Sequence, residues 1–407
     1  MNRESKYYCK WADAGLALHN RGGALLCCQS RTYLQDEHQQ PIYWHTHTLK
    51  DAWESPTRRE IQDALDNGIQ HPSCNACWDE ENVGGTSRRM HHLRDDNIVV
   101  PEDSTTPMLM DLKLGNLCNL ACRTCNPDVS SKWYADWWHV IDQHTNQFKD
   151  YRQYLDARYL TGKLSYAASN EQLWSSLADW FPQVRYVDIY GAEPMMIDKL
   201  FDVLQSSIDQ GNADQQILHF NSNGTIWNQA HIDILSKFKQ VYFDVSVDGL
   251  YDHFDYTRYG ESWATISSNI EKYNQFKKQY MGKHNVSICI TVSILNMYYV
   301  DEIWKYFQDR DWHCHFNIAH MPRHVNVKAI PVHAKKQIEN KLSQYQDETF
   351  QRNVAPLISY MNESILKDGD WEEFIRVTNG LDVRRKQKFA STFPEFYDII
   401  KTDWPQE

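Results

Sequence analysis

Residues 116–127 read NLCNLACRTCNP and carry three cysteines, at positions 118, 122 and 125. The chain has ten cysteines in 407 residues, and its first ten residues, MNRESKYYCK, include no apolar segment of the kind that signal peptides carry. We therefore expect a cytoplasmic protein with reduced thiols, whose clustered cysteines bind metal or act in catalysis. Zinc would need a fourth ligand and favours paired knuckles. Three thiolates on one tight loop suit an iron–sulfur cluster in which one iron stays open to another ligand.

The composition is that of a globular protein. Hydrophobic residues make up 42% and aromatic residues 13% of the chain, and its length suggests one large domain plus a smaller one. The net charge is −12 and no Lys/Arg-rich run stands out, which makes nucleic-acid binding an unfavoured function. No apolar run approaches the roughly 18 residues that a membrane span requires, so we expect no membrane partner.

Strands and helices alternate from the cysteine loop onward. Residues 108–114, MLMDLKL, alternate in polarity as a strand that leads into the loop. We predict a helix opened by Ser169 in capping-box form with Gln172, and a later helix that stops at Gly211. Further strands are predicted at 184–190, 216–220, 240–247, 286–294 and 314–319, and further helices at 230–238, 263–276 and 300–307. Six alternating strands predict an α/β fold, with a parallel sheet closed or partly closed as a TIM-like (β/α)6 barrel.

Polar turns follow three more of these strands. They are GAEP at 191–194, NSNGT at 221–225, and VDG at 247–249 after Ser246, with Arg258 a short way on. Each one alone could be a plain turn. Because the carboxyl ends of parallel strands meet at one edge, where barrel enzymes carry their chemistry, four such turns at successive strand ends predict one site.

With these motifs the chain resembles the radical S-adenosylmethionine (SAM) superfamily over about residues 106–325. The C-x3-C-x2-C spacing of Cys118, Cys122 and Cys125 after a first strand matches the family's cluster motif. The resemblance implies that these three cysteines hold a catalytic [4Fe–4S] cluster whose open iron binds SAM. It also implies reductive cleavage of SAM to a 5'-deoxyadenosyl radical that abstracts a substrate hydrogen, with the protein supplying binding and aim.

The resemblance assigns SAM-binding roles to residues at the other strand ends. GAEP matches the family's GGEP segment, which receives the SAM ammonium, and Ala192 in place of glycine suggests a negative φ there. A guanidinium suits the SAM carboxylate because its fork can meet it bidentately, and Ser246 and Arg258 match that carboxylate pair. The implied SAM-binding residues are Gly191, Ala192, Glu193, Pro194, Ser222, Asn223, Ser246, Arg258 and, toward the ribose, Asn296.

A second group of cysteines lies in the N-terminal segment. Two distant thiols and a C-x2-C pair suit zinc or an iron–sulfur cluster equally well. The spacing of Cys9, Gly23 and Cys28 is similar to the twitch or SPASM auxiliary-cluster modules of radical SAM enzymes, here placed before the barrel, and adjacent Cys27 leaves the second ligand open. The implied auxiliary ligands are Cys9, Cys28, Cys74 and Cys77, with a zinc-stapled hairpin as the alternative.

The remaining regions have simpler interpretations. We predict a small α+β Cys-rich module at 1–100, the barrel at 106–325, and a charged, helical cap at 330–407. Cys289 and Cys314 are predicted to be packing residues, and so are the two histidines that flank Cys314.

The expected function is that of a radical SAM enzyme. The acidic balance and the aromatic residues at 133–160 favour a peptide or protein side chain as the substrate, with oxidation or crosslinking as the outcome. The resemblance also implies an external electron donor of the flavodoxin or ferredoxin type. Two alternatives stay open: dehydrogenation or rearrangement of a small metabolite such as a sugar or nucleotide, and a non-catalytic iron–sulfur or zinc-binding protein.

Overall fold

The protein is a mixed α/β structure built on one eight-stranded sheet. The computed structural model describes residues 1–82, 84–95, 98–101, 104–142, 153, 155, 170–364 and 367–404. Within these ranges the sheet order is β2-β1-β3-β4-β5-β6-β7-β8. The strands are β1 (Gly15–Leu18), β2 (Ala24–Leu25), β3 (Leu109–Leu112), β4 (Tyr186–Ile189), β5 (Ile217–Ser222), β6 (Gln240–Ser246), β7 (Asn285–Val292) and β8 (Cys314–Ile318).

The six strands predicted from the sequence are β3 to β8. They pair in chain order and are all parallel, as the alternation with helices indicated. The sheet has eight strands rather than six because the N-terminal segment contributes two more. Strand β1 pairs in parallel with β3, opposing Ala17 to Asp111, and β2 pairs antiparallel with β1. The N-terminal segment is therefore continuous with the main sheet.

The two faces of the sheet differ in polarity. Successive side chains of a strand point to opposite faces, and one set is apolar and packs in the main core with the helices. This set includes Val187, Ile189, Leu218, Phe220, Val241, Phe243, Val245, Ile288 and Ile290, none more than 1% exposed. The alternate positions are polar and include Asp111, Asp188, His219, Asp244 and Ser287. We call this second side the polar face.

Seventeen α-helices surround the sheet in the described residues. They are α1 (Lys10–Ala14), α2 (Leu49–Trp53), α3 (Pro56–Asp66), α4 (Asn75–Asn82), α5 (Arg88–Arg94), α6 (Tyr134–Trp137), α7 (Glu171–Trp180), α8 (Asp198–Asp209), α9 (Gln229–Leu235), α10 (Asp252–Thr257), α11 (Trp263–Gln279), α12 (Val300–Gln308), α13 (Val332–Ser343), α14 (Glu348–Asn362), α15 (Asp370–Arg385), α16 (Phe389–Thr392) and α17 (Pro394–Ile400). In the part of the chain that the structure describes, no helix has the length and apolar character to cross a membrane.

Two predicted helix boundaries illustrate how the ends are set. Gly211 follows α8 with a φ of +74°, which confirms the stop, because a left-handed residue past the last turn suits glycine. The start of α7 was predicted wrongly. Its cap is Asn170, whose Oδ1 accepts the backbone N–H of Leu173 at 3.0 Å, and Ser169 lies outside the described residues. Asparagine offers the same cap as serine one position later.

The C-terminal region is helical, as its pattern predicted. Helices α13 to α17 lie between residues 332 and 400 with gaps between them, and α15 packs against the cysteine loop. Val377 and Leu381 of α15 contact Ala121 and Trp133 in one apolar cluster, to which Cys125 is joined. Most of the aromatic segment at 133–160, the predicted substrate-recognition region, lies outside the described residues.

Candidate functional site

The cysteine loop lies at the carboxyl end of β3 and is held by the chain that follows α10. The backbone N–H of Ala121 donates to the carbonyl of Tyr259, and that of Arg123 donates to Thr257, both at 2.8 Å. The indole of Trp133 donates to the carbonyl of Cys122 at 2.7 Å. These bonds fix the loop on both sides of its middle cysteine, so the thiol positions are set by tertiary contacts rather than by the loop alone.

The three thiols lie in a protected environment. Cys118 and Cys122 are buried and Cys125 is half-buried. Burial raises the pKa of the Cys118 thiol to about 12, although the N–H of Leu120 and the amide of Asn223 both approach its sulfur. The pKa of Cys122 is instead lowered, first by a hydrogen bond from Cys125. A buried thiol becomes a thiolate when a metal displaces its proton, so this environment suits ligands of a bound metal centre.

Glu193 ties the ends of β4 and β5 to the loop. It is fully buried, and its carboxylate accepts three hydrogen bonds: Ser222 Oγ at 2.8 Å, the N–H of Asn223 at 2.7 Å and that of Met195 at 3.0 Å. Its own N–H donates to the carbonyl of Leu117 at 2.9 Å. Burial raises the pKa of Glu193, and these donors oppose the rise. Two predicted site residues, Glu193 and Ser222, are thus in direct contact.

The backbone of the GAEP segment differs from the prediction. Ala192 has a φ of +57°, so the expected negative φ was wrong. Gly191 also has a positive φ, of +77°, and the turn is anchored immediately afterwards by Glu193. Left-handed backbone costs an alanine roughly 1–2 kcal/mol, and the three hydrogen bonds that Glu193 accepts hold the turn in place. The backbone at position 192 therefore has the conformation that glycine favours, although the residue is alanine.

Asn223 connects the end of β5 to the cysteine loop. Its amide donates to Asn119 Oδ1 at 2.8 Å and lies 3.8 Å from the sulfur of Cys118. Asn119 in turn donates to Thr225 Oγ1 at 2.8 Å. The structure therefore brings Asn223 beside the thiols, and it adds Asn119 and Thr225, which were not predicted as site residues.

Arg258 forms a buried ion pair with Asp248. Its Nη2 lies 2.8 Å from Asp248 Oδ2, and both side chains are buried. Burial acts to lower the pKa of Arg258, but Asp248 and the thiols of Cys122 and Cys125 outweigh it and raise the pKa. The cation is therefore close to the cysteine loop. No contact joins Arg258 to Ser246 among the described hydrogen bonds and ion pairs.

Asn296 serves its own loop after β7. Its amide donates to the carbonyls of Asp248 and Thr291, both at 3.0 Å, and its Oδ1 accepts the N–H of Ser293 at 2.8 Å. Because these bonds use both amide protons, the structure places Asn296 as a support for Asp248. Asn296 therefore has no free amide proton to donate to a ribose at the predicted position.

Two observations test whether these residues fit a cluster and SAM. The donor set is three thiols on one loop, the ligand type of iron–sulfur clusters. Beside it, the buried Nε of Arg258 has no hydrogen-bond partner among the described residues, and an anionic group would satisfy it. In the same described part, no three His, Cys, Asp or Glu side chains are arranged to hold a single metal ion. The residues fit the implied groups.

The N-terminal thiols converge on a second position. Cys9, Cys27, Cys74 and Cys77 line one small apolar cavity together with Arg89. Burial raises the pKa of Cys27 to about 12 and that of Cys9 to about 11, with neighbouring thiols acting in the same direction.

Cys28, the predicted ligand, lies elsewhere. Burial and then Asp111 raise its pKa, the adjacent Cys27 thiol acts in the same direction, and Arg88 and a hydrogen bond with Tyr190 oppose the rise. Cys28 is not among the residues that line the cavity. The structure thus places Cys27 in the group where Cys28 was expected. The two cysteines lie in a turn, in which the backbone N–H of Ser30 donates to the carbonyl of Cys27 at 3.1 Å, and of the two only Cys27 lines the cavity.

A charged network on the polar face was missed from the sequence. The ring of His219 lies between two carboxylates, with Nδ1 at 2.8 Å from Asp188 and Nε2 at 2.8 Å from Asp244. Burial acts to lower the pKa of His219, but the two aspartates outweigh it and raise the pKa to about 10. Arg88 from α5 contacts Asp188 and lies 3.4 Å from Asp111. This network therefore links the N-terminal segment to four strands of the main sheet.

The strand patterns contain the signal for this network. A charged residue interrupts each apolar strand at the position that alternation assigns to the second face: Asp111 in LMDL, Asp188 in YVDI, His219 in ILHF and Asp244 in VYFDV. Buried charges are costly unless paired. In the sheet Asp111, Asp188 and His219 are in register, and Asp244 lies two residues beyond Tyr242, the residue opposite His219. Buried charges at such neighbouring positions predict mutual pairing, which the structure shows.

The turn after β5 requires glycine at position 224, both for its backbone conformation and for its packing. Its φ is +70°, and an added Cβ would lie 2.5 Å from Ile266 Cδ1 and 2.6 Å from Val245 Cγ1. Gly211 has a similar φ, of +74°, with nothing within 4 Å. We expect Gly211→Ala to cost about 1–2 kcal/mol of unfolding free energy for the backbone alone, and Gly224→Ala a further ~1–3 kcal/mol for overpacking. Urea unfolding followed by circular dichroism measures both variants, and equal losses would contradict the packing argument.

The fold and site define a class: an α/β chain that gathers three thiols, a buried carboxylate and a buried guanidinium at the carboxyl edge of a parallel sheet. No family model and no curated protein matches the chain. Solved structures with partial likeness include native anSMEcpe with bound AdoMet, at 15% identity over 69% of this chain and 62% of that chain with a TM-score of 0.35. SuiB of Streptococcus suis bound to precursor peptide SuiA has 12% identity over 94% of this chain and 74% of that chain, with a TM-score of 0.33.

A third likeness is native anSMEcpe with bound AdoMet and Cp18Cys peptide, at 17% identity over 60% of this chain and 61% of that chain, with a TM-score of 0.37. The chain spans about three-fifths of the length of the anSMEcpe structures. Likeness at these TM-scores does not establish a shared fold or function. The function of this chain is therefore argued from its own residues.

Proposed function

We propose that the protein is a radical SAM enzyme that acts on a peptide or protein side chain. The observation that carries the proposal is the meeting of four strand ends at one edge. The thiols of the cysteine loop, the carboxylate of Glu193 and the guanidinium of Arg258 come from separate parts of the chain and lie around the same loop. A cluster-binding protein without catalysis would not need this second set of groups.

Cys118, Cys122 and Cys125 would hold the [4Fe–4S] cluster, and the turns around them would hold SAM. The chemistry that these groups supply when bound is reductive cleavage of SAM and removal of a hydrogen atom from the substrate. The protein's own part is to position the bound groups and the substrate and to exclude water. The backbone bonds of Ala121 and Arg123 hold the loop in place, and α15 covers it with Leu381.

Glu193 and Arg258 would receive the two charged ends of the methionine part of SAM. A carboxylate has about four lone-pair positions, and three of those on Glu193 are used inside the protein. One position is left for an ammonium donor, with Gly191, Ala192 and Pro194 shaping the turn. Arg258 is held by Asp248 through one terminal nitrogen, which leaves its Nε for a carboxylate. Ser222, Asn223 and Ser246 would complete the proposed SAM site, and Asn296 would support it by donating to the carbonyl of Asp248.

The N-terminal cavity would hold an auxiliary iron–sulfur cluster. We assign its ligands as Cys9, Cys27, Cys74 and Cys77, because these four thiols line one cavity. Arg89 contributes a buried positive charge beside them, which favours thiolates. The twitch-like or SPASM-like character of the module and the boundaries 1–100, 106–325 and 330–407 remain part of this proposal.

The polar face would form the inner wall of a partial barrel and contact the substrate. Parallel strands in chain order with crossovers of one hand place their helices on one side, and the apolar face is that side. The polar face is left for a substrate that makes hydrogen bonds. Half-buried His315, which lies near Asp244, suits the amides of a peptide, whereas a sugar or nucleotide is the alternative.

Anaerobic reconstitution tests the proposal. The purified full chain, loaded with iron and sulfide and reduced, should convert SAM to 5'-deoxyadenosine, and peptide substrates should raise the rate. The products are measured by liquid chromatography and mass spectrometry. If no 5'-deoxyadenosine forms with peptides or with small metabolites, the catalytic function is wrong and the chain is an iron–sulfur-binding protein. If only small metabolites raise the rate, the peptide assignment is wrong.

A further inference from the structure

A short basic segment covers the last turn of α15 and the three residues after it, on the outside of the cysteine loop. Residues 383–388 read VRRKQK, so the expectation that the chain has no Lys/Arg-rich run was wrong. Within this segment Arg384, Lys386 and Lys388 are exposed. The valine that precedes them, Val383, is 77% exposed. An apolar side chain ringed by cations is unusual on a protein with a net charge of −12.

The segment is connected directly to the cysteine loop. Arg123, which follows Cys122, donates to Asp382 Oδ1 at 2.6 Å and to Gln387 Oε1 at 3.0 Å. The guanidinium of Arg385 lies 5.0 Å from the ring of Trp133, whose indole bonds the carbonyl of Cys122. The segment is thus linked to the cysteine loop through two side chains, those of Arg123 and Trp133.

The charge of this surface is positive after its internal pairs are counted. Asp136 accepts from both Arg384 and Arg385, and Asp382 accepts from Arg123. Three arginines therefore face two aspartates, which leaves one positive charge. Lys386 and Lys388 have no ion-pair partner among the residues that the structure describes, and they add two more.

A cavity lies beside these lysines and makes the surface concave. It has a volume of about 650 Å³ and opens between the end of α15 and α17. Its wall includes Val383, Lys386, Lys388, Phe389 and Trp404, together with the carboxylate residue Asp382, so that cationic and aromatic residues line the same cavity. Such a combination of an exposed apolar centre and charged rim is typical of a protein interface.

We propose that residues 383–388 and this cavity are the docking surface for an acidic one-electron carrier protein. The inference rests on the proposed function and names the route by which the loop's cluster would be reduced. The carrier is oxidised by one electron, the cluster gains that electron, and no bond forms or breaks. Electron-transfer encounters use small interfaces, and opposite charges steer their association.

Charge reversal at two exposed lysines tests the surface. Lys386→Glu/Lys388→Glu changes this surface from positive to negative without touching the cysteine loop. Lys237 and Lys239 are also exposed and have the same spacing, but they precede β6, at the opposite edge of the sheet. Lys237→Glu/Lys239→Glu is therefore the matched control, with the same change in net charge.

Stopped-flow absorbance measures reduction of the reconstituted full chain by two reductants, flavodoxin hydroquinone and dithionite. With flavodoxin at low salt, we expect the Lys386/Lys388 variant to react about tenfold more slowly than wild type and than the control. At 0.5 M salt the difference should shrink to about twofold because exposed charges are screened. Dithionite is small and needs no docking, so its rate and the EPR signal of the reduced cluster should be equal in all three proteins.

The outcomes separate the two proposals. If dithionite reduces no cluster in wild type, the proposed function has failed. If dithionite works but flavodoxin reduces the variant and the control equally fast, the docking surface is overturned. A variant that loses affinity for duplex DNA while keeping its flavodoxin rate would also overturn it, since the surface would then serve nucleic acid. Equal iron content shows that the variant has folded.

Discussion

Cys122→Ala is expected to abolish SAM cleavage and to remove the iron of the cysteine loop. The variant keeps two of the three thiols but loses the central one, whose backbone carbonyl is held by Trp133. With too few ligands the loop cannot retain a cluster, so about four irons should be lost, the content of one [4Fe–4S] cluster. The rate of 5'-deoxyadenosine formation should fall to the assay background, by at least about a thousandfold on the scale of enzymatic rate enhancements.

The matched control is Cys314→Ala. Cys314 is 3% exposed and packs in the main core on the apolar face of β8, on the far side of the sheet from the polar face. Removing this thiol leaves a small cavity that costs stability but touches no proposed ligand. It should keep its iron and its rate. If Cys122→Ala keeps wild-type iron and rate, the loop is not the cluster site.

The second large effect concerns the adjacent pair Cys27 and Cys28. A chain with Cys118, Cys122 and Cys125 all changed to alanine isolates the N-terminal cavity. In that background, Cys27→Ala should lose the remaining iron, because Cys27 lines the cavity with three other thiols. Cys28→Ala should keep it, because Cys28 lies beside Asp111 and Tyr190. Iron assay and Mössbauer spectroscopy measure both variants.

This pair is its own control, since the two changes remove the same group from neighbouring residues. Loss of iron from Cys28→Ala with retention in Cys27→Ala would reverse the assignment. Absence of iron from the background chain itself would mean that the cavity binds no cluster. Substitution of Cys27 leaves the sheet intact, because β2 ends at Leu25.

Much of the fold could be predicted from the sequence because its signals are local. Alternation over six to eight residues placed β5, β6 and β7 within two residues of their observed ends. The stop after α8 followed from one glycine. The order of the strands in the sheet then followed from the alternation with helices. The start of α7 was misplaced by one residue because Asn170 and Ser169 offer the same cap.

Part of the candidate site could likewise be predicted from the sequence, and part could not. The spacing of Cys118, Cys122 and Cys125 and the turns at the strand ends are properties of the chain by itself, because a metal-binding loop and a turn are each formed by residues close in sequence. The charges on the polar face were overlooked, although alternation contained the signal. Within its own strand each charge has no partner, because the pairs join strands that lie far apart in the chain.

Only the tertiary structure decided which groups meet. It paired Arg258 with Asp248, gave Ala192 a positive φ, placed Cys27 rather than Cys28 in the N-terminal cavity, and added β1 to the main sheet. These outcomes depend on contacts between segments that are distant in the sequence, where burial and hydrogen bonding outweigh local preference. The sequence by itself determined the reactive residue types and their local geometry, and packing determined their partners.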